Sequence, residues 1–140
     1  MAEGIARPPS SCARKVLVVD DEIDVTNVLI RVLEEAGYVA RGLHDPRAIR
    51  EGVREVRPDI IVLDMDLRTT VGTDVCLLLK EMPETSATPV IFLSGLDGKD
   101  LRALGHACGA AAYVAKSPNP SLLLQEIARC LGPAADGTPS

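Results

Sequence analysis

Cationic charge is scarce in this sequence: fifteen Lys and Arg stand against twenty Asp and Glu, for a net charge of −5. That balance leaves little excess positive surface for a phosphate backbone, so direct nucleic-acid recognition and attachment to an anionic membrane are set aside as first readings. Paired cysteines are lacking as well. Cys12, Cys76, Cys108 and Cys130 form no CxxC and have no His at metal-ligand spacing, which removes a zinc site or a thioredoxin-like motif and leaves Cys76, Cys108 and Cys130 as small apolar filler. No apolar run reaches the length of a bilayer span. Residues 1–14 lack the continuous apolar core of a signal peptide and carry Pro8, Pro9, Ser10 and Ser11, so they read as a loose leader on a cytoplasmic protein.

What is present is the composition of one packed domain. The chain has 140 residues, 46% of them hydrophobic and 25% charged, enough for a single core and too short for two ordinary ones. Three runs have the look of strands buried on both faces: Val16-Leu17-Val18-Val19 ending at Asp20-Asp21, Ile60-Ile61-Val62-Leu63 ending at Asp64, and Val90-Ile91-Phe92-Leu93 ending at Ser94. A weaker strand covers Tyr38 to Leu43 and a short last one Ala111 to Ala115.

Helical spacing fills the intervals. Val25, Val28, Leu29, Val32, Leu33 and Ala36 repeat at i, i+3, i+4 and end at Gly37. Asp45 can cap, and Pro46 can start, a second helix with Ile49, Gly52, Val53 and Val56 inward, stopped by Arg57-Pro58. A third puts Val75, Leu78, Leu79 and Met82 on one side, a fourth runs from about Lys99 to Cys108, and the last carries Leu123, Leu124, Ile127, Ala128 and Leu131 before Gly132-Pro133. Strand and helix five times over predict an α/β fold with a parallel sheet, right-handed crossovers and helices on both faces. Ligands in such sheets bind beyond the carboxyl ends of the strands.

Asp20, Asp21, Asp64, Ser94 and Lys116 each sit at or just past such an end. With the first strand beside the third, a neighbour spacing of about 4.8 Å brings Asp20 or Asp21 within reach of Asp64. Crowded carboxylates repel unless a cation lies among them. Oxygen ligands without His or Cys point to Mg²⁺. One carboxylate can then act as a nucleophile, and Asp64, central on the third strand, is the choice that yields an aspartyl phosphate. Lys116 is suited to stabilise charge on a transferring phosphoryl group, and the Ser94 hydroxyl to sense it. His44 and His106 read as surface residues rather than phosphoryl donors.

Taken together, Val16-Leu17-Val18-Val19-Asp20-Asp21-Glu22, Ile61-Val62-Leu63-Asp64, Val90-Ile91-Phe92-Leu93-Ser94-Gly95 and Ala112-Tyr113-Val114-Ala115-Lys116 resemble the receiver domain of two-component response regulators. The resemblance implies a flavodoxin-like, doubly wound five-stranded parallel sheet in the order 2-1-3-4-5. It implies that Asp21, Asp64 and the backbone carbonyl of Asp66 ligate Mg²⁺, with Asp20 contributing through water. It further implies that Asp64 is phosphorylated by a sensor histidine kinase or phosphotransfer protein, that Lys116 contacts the phosphoryl group, and that Ser94 with Tyr113 forms the switch. Gly72 matches the family's loop glycine. Residues 15–131 form the receiver domain on this reading, with 132–140 a disordered tail.

Two positions depart from the family pattern. Leu67-Arg68-Thr69-Thr70 stands where Met-Pro is common, and Lys116-Ser117-Pro118 replaces Lys-Pro, so the bond after Lys116 is expected to be trans. The expected activity is self-phosphorylation and dephosphorylation only, without turnover of a substrate as an enzyme. The expected output is an effector protein bound at the fourth helix, the last strand and the last helix, with no direct contact to nucleic acid or membrane. No segment is left for an output domain, so the chain acts through another protein or is part of a larger one. The alternatives are a phosphorylation-independent scaffold of the same fold and, from Asp64-Met65-Asp66, a haloacid-dehalogenase-like phosphatase; Arg68 and the motif's place on the third strand argue against the latter.

Overall fold

The computed structural model describes residues 14–65, 67, 72–95, 109–116 and 119–131. In chain order the elements are β1 (Lys15–Val19), α1 (Ile23–Glu35), β2 (Val39–Leu43), a 3₁₀ turn (Pro46–Ala48), α2 (Ile49–Val56), β3 (Ile60–Asp64), α3 (Gly72–Glu81), β4 (Val90–Ser94), β5 (Ala112–Ala115) and α4 (Ser121–Leu131). All strand pairs are parallel and the sheet order is β2-β1-β3-β4-β5. The predicted order is therefore the observed one. The helix expected between Lys99 and Cys108 lies outside the described residues, as do the leader to residue 13, the tail from 132, and the Lys116–Ser117 bond.

The sheet is central because its inner strands have no polar face to offer water. Every residue of β3 and β4 is buried, as are Val16 to Val19 of β1. Alternation sorts these side chains into two layers. Leu17, Val19, Ile61, Leu63, Val90 and Phe92 pack with Ile49 and Val53 of α2 and Val75, Cys76 and Leu79 of α3. Val16, Val18, Ile60, Val62, Ile91 and Leu93 pack on the other side with Leu33 of α1 and Leu123 and Ile127 of α4.

Helix ends follow their sequence signals. α1 closes with Gly37 at φ 100, the Tyr38 N–H donating to the Leu33 carbonyl at 3.0 Å and the Gly37 N–H to that of Glu34 at 3.0 Å; a residue without Cβ takes this left-handed position at least cost. Asp45 accepts a hydrogen bond from the Arg47 N–H at 2.9 Å, with Pro46 opening the turn. Arg57 closes α2 in the left-handed conformation at φ 53, and Pro58 prevents its continuation.

One helix face differs from expectation. Val28, placed inward by periodicity, is 63% exposed, whereas Thr26 is wholly buried. The reason is that α1 carries apolar side chains over more than its core-facing stripe. Leu33 faces the sheet, while Val25, Val28, Leu29 and Val32 line an open groove of about 550 Å³ between α1 and α4. The other helices match more closely: Val75, Leu79 and Met82 are buried and Leu78 half-buried, and Leu123 and Ile127 carry the inner stripe of α4.

Candidate functional site

Each central strand ends where its apolar run meets a polar residue that cannot continue the core. Asp20 follows β1, and its N–H still bonds to the Leu43 carbonyl of β2 at 3.1 Å, so the sheet holds it one residue past the strand. Asp64 is the last residue of β3, followed by the Met65 N–H on the Leu93 carbonyl at 2.9 Å. Ser94 is the last residue of β4, and its carbonyl accepts from the Lys116 N–H at 2.7 Å, which fixes Lys116 just beyond β5. These backbone bonds bring residues up to 96 positions apart in the chain to one rim, which the numbering 20 to 116 makes plain.

At that rim the carboxylates of Asp20, Asp21 and Asp64 lie so that one oxygen from each is within 4.8 Å of the others. Asp20 and Asp64 are almost inaccessible, at 1% and 3%, and Ser94 is fully buried. Lys116 Nζ stands 3.0 Å from Asp64 Oδ1, and its side chain is 34% exposed. Asp20 Oδ1 accepts from the Glu22 N–H at 2.9 Å, while Asp20 Oδ2 is buried with no hydrogen-bond partner.

The electrostatics follow from that arrangement. Burial pushes the Asp20 carboxyl up to about 6; the Glu22 N–H opposes this, the Asp64 charge adds to it, and the Lys116 ammonium pulls back. A buried carboxylate oxygen without a donor, in a cluster of three acids faced by one ammonium, is an expensive arrangement for a bare protein. It fits a hard divalent cation, because the donors are all oxygens and Mg²⁺ is held by few carboxylates with water completing its shell. Among the described residues, Asp20, Asp21 and Asp64 are the group that could hold one.

Strand alternation divides the remaining candidates. Tyr113 turns to the layer that holds Phe92, its partner in the β4–β5 register, and packs there half-buried. Ser94, two residues beyond Phe92, has the same parity, whereas Asp64 shares the parity of Ile60 and Val62 on the other face. Asp66, expected to offer its carbonyl, lies outside the described residues, as does His106. His44 is exposed, Cys76 buried and Cys130 half-buried. On the last helix, part of the face expected to meet an effector, Gln125 and Arg129 are exposed, Arg129 donating to Glu126 Oε1 at 2.7 Å and to the Ala111 carbonyl at 3.1 Å.

Sequence reasoning missed Thr26. Its hydroxyl lies 2.9 Å from the Glu22 carbonyl and 3.3 Å from the Asp20 carbonyl, directly behind the acidic turn. The available signal was a β-branched polar residue six positions after Asp20, which periodicity alone treats as a solvent-side position.

Three comparisons with known proteins bear on this rim. The family model for the response regulator receiver domain matches residues 16–128. The chain is 31% identical over 114 residues to the DNA-binding response regulator MtrA of Mycobacterium tuberculosis, covering 81% of this chain and 49% of that protein. It is 33% identical over 115 residues to the transcriptional regulatory protein YvrH of Bacillus subtilis, covering 80% and 46%. The chain thus spans about half the length of these curated relatives. Among solved structures, the chemotaxis protein CheY4 of Vibrio cholerae superposes with a TM-score of 0.78 at 26% identity, over 84% of this chain and 98% of that one. The response regulator DrrB of Thermotoga maritima gives 0.74 at 27% identity, over 85% and 52%. Among the described residues, no helix is long and apolar enough to cross a membrane.

Proposed function

This chain belongs to the response regulator receiver domain family of two-component systems, and from that premise we propose that Asp64 is its phosphoacceptor, served by Asp20, Asp21, Lys116 and Ser94. The observation that carries the reading is the pairing of Lys116 Nζ with Asp64 Oδ1 at 3.0 Å beside two further carboxylates. A carboxylate oxygen of Asp64 attacks phosphorus. The bond formed is oxygen to phosphorus, and the bond broken joins phosphorus to the donor's imidazole nitrogen or acyl oxygen, which leaves with the electron pair.

Asp20, Asp21 and Asp64, with the carbonyl of Asp66, would hold Mg²⁺, which supplies positive charge against the phosphoryl oxygens. Lys116 brings a second positive charge to the same oxygens and, before transfer, holds the Asp64 carboxylate through their ion pair at 3.0 Å. Burial of Asp64 excludes bulk water from the acyl phosphate. The receiver unit is residues 15–131. Ser94 and Tyr113, on strands paired in register and turned to one layer, form the switch that reports the new phosphoryl group.

The phosphodonor is a sensor histidine kinase or phosphotransfer protein, and Ile23 and Val28, exposed on α1 beside the rim, give it an apolar surface on which to dock. The effector reads the face that includes β5 and α4. This part of the chain contacts neither nucleic acid nor lipid directly, in keeping with its net charge of −5, and works in the cytoplasm as a signalling domain rather than a turnover enzyme.

Intact-mass spectrometry tests the proposal. After incubation with acetyl phosphate and Mg²⁺, the wild type gains the mass of one phosphoryl group, and with EDTA in place of Mg²⁺ it does not. Wild type that stays unmodified by acetyl phosphate and by kinase alike would mark a scaffold that phosphate does not switch. Sustained hydrolysis of a phosphomonoester would mark a phosphatase.

A further inference from the structure

The turn that carries Asp20 and Asp21 is stitched together from behind. β1 ends at Val19, and the chain must reverse into α1, whose N-cap, Glu22, makes no side-chain capping bond of its own. Three contacts tie the turn instead. Asp20 Oδ1 receives the Glu22 N–H at 2.9 Å, and Thr26, a wholly buried residue one turn into α1, places Oγ1 2.9 Å from the Glu22 carbonyl and 3.3 Å from the Asp20 carbonyl. A hydroxyl bond to the carbonyl four residues back is common in helices and slightly unfavourable to them. The contact to Asp20, six residues back, reaches out of the helix into the turn.

Thr26 is packed closely in this place. Opposite it on β2 is Gly42, where an added Cβ would fall 2.5 Å from Thr26 Cγ2 and 3.1 Å from Ile30 Cδ1. The methyl therefore sits over the bare backbone of Gly42, and of the two χ1 rotamers open to a helical Thr the one observed puts Oγ1 on the carbonyl four residues back. The consequence appears at the front of the turn. With Oδ1 committed to Glu22, Asp20 keeps Oδ2 buried and without a hydrogen-bond partner, and one oxygen of its carboxylate lies within 4.8 Å of oxygens of Asp21 and Asp64.

We infer that Thr26, seated against Gly42, is a positioning residue that holds the Asp20–Glu22 turn so that the acid pair is aimed at its cation before the cation arrives. The inference rests on the reading of the three carboxylates as a Mg²⁺ site, and it adds a residue that touches no cation and no phosphoryl group. Loss of such an outer support costs roughly 10–100-fold in metal affinity. A residue that merely fills space would be replaced by valine, its isostere, without effect on the site.

The experiment uses the full chain. Mg²⁺ affinity is measured by calorimetry for wild type, Thr26→Val, Thr26→Ser and Gly42→Ala, and hydrogen exchange of the Glu22 amide is followed in EDTA. The expected result is that Thr26→Val binds Mg²⁺ about tenfold more weakly and exchanges the Glu22 amide faster with no metal present. Thr26→Ser, which keeps the hydroxyl, restores both. Gly42→Ala, which crowds Thr26 without touching a carboxylate, moves both in the direction of Thr26→Val, and it decides the question should Thr26→Val not fold.

Wild-type affinity and exchange in Thr26→Val, equal losses in the valine and serine variants, or weaker Mg²⁺ binding without faster Glu22 exchange would each overturn the inference. Wild type that binds no Mg²⁺ removes the metal reading beneath it, and the exchange comparison then still tells whether Thr26 holds the turn.

Discussion

Along β3 the chain passes from favourable apolar burial to the costly burial of a carboxylate within one residue. Ile60, Ile61, Val62 and Leu63 are at most 1% exposed and contact other aliphatic and aromatic side chains in both layers, and Asp64 follows at 3%. Each of the first four contributes about 1.5–3 kcal/mol by leaving water. The fifth takes a carboxylate out of water beside two others, a step that opposes folding unless charge of the other sign is present. Lys116 supplies one such charge at 3.0 Å. The strand interior thus holds the fold together, and the strand end carries a costly charge cluster of the kind found at functional sites.

Mutations separate the two regions. The largest effect is expected at the rim and on chemistry alone: Asp64→Asn should reduce phosphoryl incorporation from acetyl phosphate to background, by intact mass, while the protein stays folded. One residue earlier, Leu63→Ala should do the opposite. It should cost about 2–5 kcal/mol in urea unfolding, as a buried Leu→Ala change does, and leave incorporation near wild type under conditions where the variant is folded. If Leu63→Ala abolished labelling in the folded state, interior and rim would not be separable.

The comparison sharpens at Asp20. Its carboxyl is raised from 3.8 to about 6 by burial, so between those values the metal-free folded chain holds more protons than the unfolded one. Stability from this group is therefore complete below about pH 4 and is lost as pH rises through about 6. At pH 7 in EDTA, Asp20→Asn should be more stable than wild type by on the order of 2 kcal/mol. The difference should vanish toward pH 4. Urea titrations of both proteins check it, and an Asn variant that is less stable at pH 7 would show that the carboxylate costs the fold nothing. The smallest effect is expected at Ser94, which is buried but uncharged. Ser94→Ala should change stability by about 1 kcal/mol and labelling by no more than a few-fold, while the phosphorylated form loses its gain in effector affinity. Wild-type affinity in that variant would remove the hydroxyl from the switch.

The interior and the rim also differed in how far they could be read from the chain. Continuous runs such as Val90 to Leu93 declare a strand covered on both faces, and a parallel sheet follows because each run is separated from the next by a helix-length segment. Once the sheet is parallel, Asp20, Asp64 and Ser94 share an edge by topology. The face of α1 was less legible, since its apolar residues exceed what the sheet covers and period alone cannot say which of them line the groove beside α4. Thr26 escaped for a related reason. Its burial depends on Gly42, a residue on a strand sixteen positions away whose missing side chain is the space that Thr26 occupies. The distance from Lys116 to Asp64 likewise belongs to the packing, although both residues could be named beforehand.

The most direct measurement locates the phosphoryl group. Borohydride reduces an aspartyl phosphate to homoserine, and tandem mass spectrometry of the digested chain then identifies the modified residue. Homoserine at position 64, formed only when Mg²⁺ and phosphodonor are both supplied, is the predicted result; homoserine at another aspartate, or at position 64 in undiminished amount with EDTA present, would contradict it.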